Sequence, residues 1–99
     1  MIDNNRLQDL AEKAGRVAGW DGPIYAVWFS SPRFSCLWRR YGQDLVLKLC
    51  DWMQDAPEGI VLEALVRTVM AVQRAKLPPA SEEFRTWTDA NRHRWTPDA

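Results

Sequence analysis

The chain has one histidine, His93, and two cysteines, Cys36 and Cys50, among its 99 residues. That scarcity excludes most metal chemistry. The His-Glu-x-x-His zinc motif needs two histidines one helical turn apart, and four-Cys or two-Cys–two-His sites fail by count. A mixed site of Cys36, Cys50, Asp51 and His93 is arithmetically available, but no spacing predicts it. There is no CxxC pair, and the five glycines are scattered, with no GxGxxG, GxxxxGK[ST] or GxSxG pattern. A phosphate loop and a nucleophile elbow therefore lack sequence support. A thiol paired with His93 is disfavoured as well. A catalytic thiol needs an adjacent base, and both cysteines fall in strand-like runs, where a thiol behaves as a small hydrophobe.

Long apolar runs are missing too. None reaches the ~18 residues of a membrane span, and the opening MIDNNRLQDL lacks the basic and apolar regions of a secretory leader. A cytoplasmic protein with free thiols is expected, with no cofactor and no membrane contact. Charge of one sign is also absent: 13 basic and 13 acidic residues cancel, so the footprint of a whole-chain nucleic-acid binder is not there.

What is present is a core. Hydrophobic residues make up 46% of the chain and six are Trp, which argues first for a filled interior in one domain spanning residues 1–99. Ten of the basic residues are Arg, which favours ion pairs and stacking on rings.

Periodicity organises the chain. Residues 3–18 carry Leu7, Leu10, Ala11, Ala14, Val17 and Ala18 at helical spacing, with Asp3 or Asn4 as cap and Gly19 as stop. After the turn at 21–23, residues 24–50 hold three strand-like runs: IYAVWF, RFSCLWRRY and DLVLKLC. In the second, Phe34, Cys36 and Trp38 alternate with Ser35, Leu37 and Arg39; in the third, Leu45, Leu47 and Leu49 share a face. The short links between the runs predict antiparallel hairpins. Residues 56–76 form an almost wholly apolar helix, with Asp55 as cap, Pro57 in the first turn and Glu58 closing a capping box. Ser81 caps a last helix, 81–95, with Glu82 and Glu83 at its positive end and Phe84, Trp87, Asn91 and Trp95 on one face. The tail TPDA is expected to fray. The class is α+β: an N-terminal helix, a three-stranded antiparallel sheet, a buried central helix and a C-terminal helix.

One decamer stands out. IVLEALVRTV, residues 60–69, is apolar except for Glu63, Arg67 and Thr68, and the two charges sit at i and i+4, with Arg74 near the same stripe. The plain reading is an ion pair on the helix's solvent edge, contributing tenths of a kcal/mol.

A sharper reading comes from likeness. The element order and the stretches QDLVLKLCDWMQDAP, PEGIVLEALVRTVM and PPASEEFRTWTDANRHRW resemble the SprT-like zinc metallopeptidases and their minimal relatives, the minigluzincins, over roughly residues 3–95. In those proteins a loop ending in Ala-Pro precedes a helix bearing His-Glu-x-x-His, and a further His stands just before a Ser-x-x-Phe helix start. The resemblance puts Glu63 at the first zinc ligand, Ala64 at the catalytic Glu, Arg67 at the second ligand and Ala80 at the third. It thus implies a lost zinc site and no catalytic residue. In the active relatives zinc activates a water and Glu acts as base. Ala64 cannot accept a proton, and Arg67 carries positive charge where the cation would sit. The expectation is that a Glu63–Arg67 ion pair fills the emptied site.

Three functions compete. The first is a non-catalytic interaction module. In the active relatives an extended peptide pairs with the sheet edge above the cleft, which needs no zinc. Residues 33–48 carry Arg33, Arg39, Arg40 and Lys48 against Asp44, and residues 51–63 carry Asp51, Asp55, Glu58 and Glu63 without a base. Such bipolarity suits a protein or peptide partner, or a homo-oligomer. The second is single-stranded nucleic-acid binding, because RFSCLWRRY and RTWTDANRHRW interleave Arg with aromatics. The surface for either is expected to include Arg33, Arg39, Arg40, Lys48, Arg74, Arg92 and Arg94. The third is an enzyme of unfamiliar chemistry using Asp51, Arg67 or His93, which requires those groups to converge in one pocket.

Overall fold

The computed structural model describes residues 1–94. The elements run α1 (Asn4–Ala18), β1 (Ile24–Phe29), β2 (Cys36–Tyr41), β3 (Asp44–Cys50), α2 (Glu58–Val72) and α3 (Glu82–Ala90), with single 3-10 turns at Asp51–Met53 and Arg92–Arg94. The α+β class and the element order are those expected from the sequence.

Asp3 caps α1 through a bond from the Arg6 N–H, 2.8 Å, and Gly19 ends it at φ 77°, where a side chain would be strained. Leu7, Leu10, Ala11 and Ala14 form the buried stripe.

The sheet departs from expectation. Its order is β1-β3-β2, and only the β2–β3 pair is antiparallel; β1 runs parallel to β3. The expected all-antiparallel sheet is therefore a mixed one. β3 carries Leu45, Leu47 and Leu49, all fully buried, and so takes the central place with a neighbour on each side. The six residues 30–35 carry the chain past that place instead of turning back beside β1. The one tight hairpin is at Gly42-Gln43, where Gly42 has φ 61° and Tyr41 pairs with Asp44. β1 and β2 are thereby left as the two edges.

α1 and α2 pack against each other; α1 also packs on β1, and α2 on β2. Ile60, Val61, Ala64, Leu65, Val69 and Val72 make α2 the centre of the core. The helix is shorter than the expected 56–76. Asp55 does not cap it: the residue before the first turn is Pro57, which offers no side-chain bond, and Asp55 pairs instead with Arg94, 2.7 Å away. At the other end Ala75 N–H donates to the Met70 carbonyl and Arg74 N–H to the Ala71 carbonyl. That closure places Arg74 in the left-handed region at φ 57°, where glycine is usual.

Ser81 caps α3 as expected, accepting from Phe84 N–H at 3.1 Å. The helix stops at Ala90 rather than near 95 because the Asn91 side chain caps the Trp87 carbonyl. Trp95 and the TPDA tail lie outside the described residues. Of the described tryptophans, Trp20, Trp28, Trp52 and Trp87 are half-buried, while Trp38, on the edge strand, is 47% exposed. Among the described residues no helix is long and apolar enough to cross a membrane.

Candidate functional site

Glu63 and Arg67 lie half-buried on the flank of α2 that faces the α2–α3 connection, but do not pair with each other. The salt bridges among the described residues join other groups. Both side chains hold the connection between α2 and α3. Glu63 accepts from the Ser81 N–H at 2.8 Å and from the Ser81 hydroxyl at 2.6 Å. Arg67 donates to the Pro78 carbonyl at 2.7 Å. The expected ion pair is thus replaced by two tethers that pin the chain on either side of Ala80. Geometry explains this: a carboxylate facing an N-cap gains two donors at once, whereas an i,i+4 pair gains little in water. Ala64 is buried, 3% exposed, and Ala80 is half-buried against the core. Positions 63, 67 and 80 therefore gather in one region. Beside them, between α2 and α3, a cavity of about 730 Å³ is lined by Ile60, Glu63, Ser81, Thr86 and Trp87, among others. Among the described residues no three His, Cys, Asp or Glu side chains converge as a metal-ligating group.

The two sheet edges differ. On β1, the Gln8 side chain donates to the Ile24 carbonyl at 2.7 Å and accepts from the Ala26 N–H at 2.9 Å, and the Asn4 side chain accepts from the Trp28 N–H at 3.3 Å. Two amides on α1 thus occupy the ladder positions of that edge. Among the described residues no side chain covers β2 in this way. Because Cys50 N–H donates to the Ser35 carbonyl, alternation turns Leu37, Arg39 and Tyr41 toward β3 for ladder bonds. It turns the backbone N–H and C=O of Cys36, Trp38 and Arg40 outward. Around this edge Leu37, Trp38, Arg39, Arg40, Val46 and Lys48 line a shallow depression of about 650 Å³ with no acidic residue in its wall.

The seven cations expected to share a surface do not all meet. Arg39, Arg40 and Lys48 lie together at the β2 depression. Arg40 is partly committed, stacking 5.1 Å from the Trp20 ring and donating to the Gly42 carbonyl at 3.0 Å. Arg33 sits in the 30–35 loop and Arg74 at the end of α2. Arg92 pairs with Asp89 at 3.3 Å; Arg94 pairs with Asp55 and lies 5.6 Å from the Trp52 ring. The acidic half of the expected bipolar surface is largely consumed, since Arg94 takes Asp55, Arg6 takes Glu58 at 2.6 Å, and Ser81 takes Glu63. The Arg6 guanidinium bonded to Glu58 holds that carboxyl below its ordinary pKa.

The remaining candidates scatter. Cys36 and Cys50 are free, and burial pushes both thiols up, Cys50 to about 11, the opposite of an activated nucleophile. His93 is exposed, with Nδ1 3.1 Å from the Ala90 carbonyl. None of the cavities described is lined by two of Asp51, Arg67 and His93. Sequence reasoning missed Asn4 and Gln8, although polar residues at i and i+4 beside the apolar stripe of α1 were a readable signal. The exposure of Trp38 had no such signal, because it depends on which strand lies outermost.

No family model, curated protein or solved structure matches this chain.

Proposed function

We propose that this chain is a non-catalytic, metallopeptidase-like domain, its zinc site lost, that receives an extended acidic peptide along the free edge of β2. The observation that carries the reading is the asymmetry of the edges: Gln8 and Asn4 close β1, while the backbone groups of Trp38 and Arg40 on β2 face outward with no partner among the described residues. An added strand takes main-chain bonds from that edge and side-chain contacts from the depression beside it. Arg39 and Lys48, with no acid in the wall, favour a negatively charged segment. Arg39 and Arg40 disfavour β2 pairing with its own copy, as charge on an edge strand does. The loss of zinc chemistry is supported by Glu63 and Arg67 serving as tethers beside Ala80 and by the methyl group at Ala64. The test is a titration of the labelled chain with a synthetic peptide of alternating Val and Glu. Amide shifts concentrated at Cys36, Trp38 and Arg40 support the reading; shifts elsewhere, or none at millimolar peptide, contradict it.

A second reading has one observation in its favour: Trp38, 47% exposed, stands next to Arg39 and Arg40, as a stacking ring beside cations does in single-strand binders. An oligothymidine titration at two salt concentrations separates the two, because phosphate contacts require affinity to fall steeply with salt.

A further inference from the structure

The helices cover one face of the sheet and leave the other open. Cross-strand register places Tyr25, Val46 and Arg39 in one row of that open face, Val27, Lys48 and Leu37 in the next, and Asp44 with Tyr41 in a third. Four of these are large apolar side chains left in water: Tyr25 is 49% exposed, Val27 42%, Leu37 52% and Tyr41 61%. Val46 sits half-buried at their centre. A parallel pair such as β1–β3 is ordinarily covered on both faces, and a contiguous apolar surface of this kind marks an interaction site.

We propose that the open face is a self-association surface, on which a second copy of this chain packs sheet to sheet about a two-fold axis running across the strands at Val46. The charges on the face argue for this occupant. Asp44 and Lys48 flank Val46 on β3, one two residues before it and one two residues after, both exposed and both on the open side. Among the described residues neither forms a salt bridge. Reversing the strand about Val46 exchanges their positions, so each Asp44 meets Lys48 of the other copy and the pattern complements itself. The same operation sets Tyr41 against Leu37, and Val46 and Tyr25 against their own equivalents. Arg39 falls at the rim near the other Arg39, in water, where salt screens the repulsion. Face-to-face sheets about 10 Å apart interdigitate such side chains. The exposed face offers on the order of 600 Å² per copy, the lower limit of specific interfaces, so the association is weak, with a dissociation constant on the order of 100 µM. The face includes Leu37, Arg39, Val46 and Lys48 of the depression beside the β2 edge, yet the proposal does not rest on the peptide-binding reading.

Sedimentation equilibrium of the full chain between roughly 10 µM and 1 mM tests it. The wild type shifts from monomer to dimer over that range. Lys48→Glu, which puts like charges opposite each other, weakens dimerisation at least tenfold, and the exchange Asp44→Lys/Lys48→Glu restores it. Leu37→Ser, an exposed substitution that keeps every charge, weakens it too. A wild type that stays monomeric throughout overturns the proposal. So does a dimer indifferent to Lys48→Glu and Leu37→Ser, or one that the charge exchange fails to rescue; circular dichroism confirms that each variant is folded.

Discussion

The Glu63 carboxylate accepts two hydrogen bonds from Ser81, 2.8 Å from its backbone nitrogen and 2.6 Å from its hydroxyl, while the same hydroxyl accepts from Phe84 N–H at 3.1 Å. One acid on the central helix thereby fixes both the start of α3 and the cap that starts it. A charge pair that looked like an isolated feature of one helix is instead the fastening between two.

This relationship makes Glu63→Ala costly. Removing a carboxylate bonded to an N-cap should lower stability by about 1–3 kcal/mol, and Ser81→Ala by about 1 kcal/mol or more. The two losses should not add. In urea denaturation the double mutant should show a coupling of at least ~0.5 kcal/mol, and additivity would mean that the bonds do not form in solution.

Arg74 supplies the opposite case. It holds φ 57°, a position at which a side chain is penalised and glycine is not. Arg74→Gly should therefore stabilise the chain, by roughly 0.5–1 kcal/mol. An unchanged or lower urea midpoint would show that the Arg74 side chain makes a compensating contact.

Two pH effects follow from Arg6 and the thiols. Bonding to Arg6 holds the Glu58 carboxyl below its ordinary value, so this contact stabilises the fold at neutral pH. The contribution is lost as pH falls through the depressed value and Glu58 takes up a proton. In Arg6→Ala the Glu58 titration, followed by carbon NMR, should move up toward that of an ordinary glutamate. No movement would deny the bond.

Burial raises Cys50 from its ordinary 9.0 to about 11. Between those values the unfolded chain releases the thiol proton and the folded chain does not. Stability is fully present below pH 9 and declines as pH rises toward 11. Cys50→Ala should flatten the fall in urea midpoint between these limits. A thiol reagent at neutral pH should leave Cys50 unmodified until denaturant is added.

The fold was legible where the signal was local. Asp3 and Ser81 cap their helices because a short acceptor before an apolar stripe has one nearby use. Asp55 has the same local signal, yet Arg94, 39 residues later, claims it. The pairing of β1 was misread for a related reason. Short links suggest hairpins, but the strand richest in leucine takes the centre of the sheet, and sequence adjacency yields to burial. At the site, the grouping of positions 63, 67 and 80 was an expectation drawn from the resemblance alone, and the tethers to Pro78 and Ser81 bring those positions together. The partners of Glu63 and Arg67 depended on how the 73–81 connection folds back across α2, which no local pattern encodes.

The central proposal, that this chain keeps the frame of a zinc peptidase without the means to hold zinc, is tested most directly by a calorimetric zinc titration of two proteins. The wild type should show no stoichiometric binding at neutral pH, while Glu63→His/Arg67→His/Ala80→His should bind one zinc ion, because the three positions lie together. Tight binding by the wild type would contradict the account, and so would a folded triple variant that leaves zinc in solution.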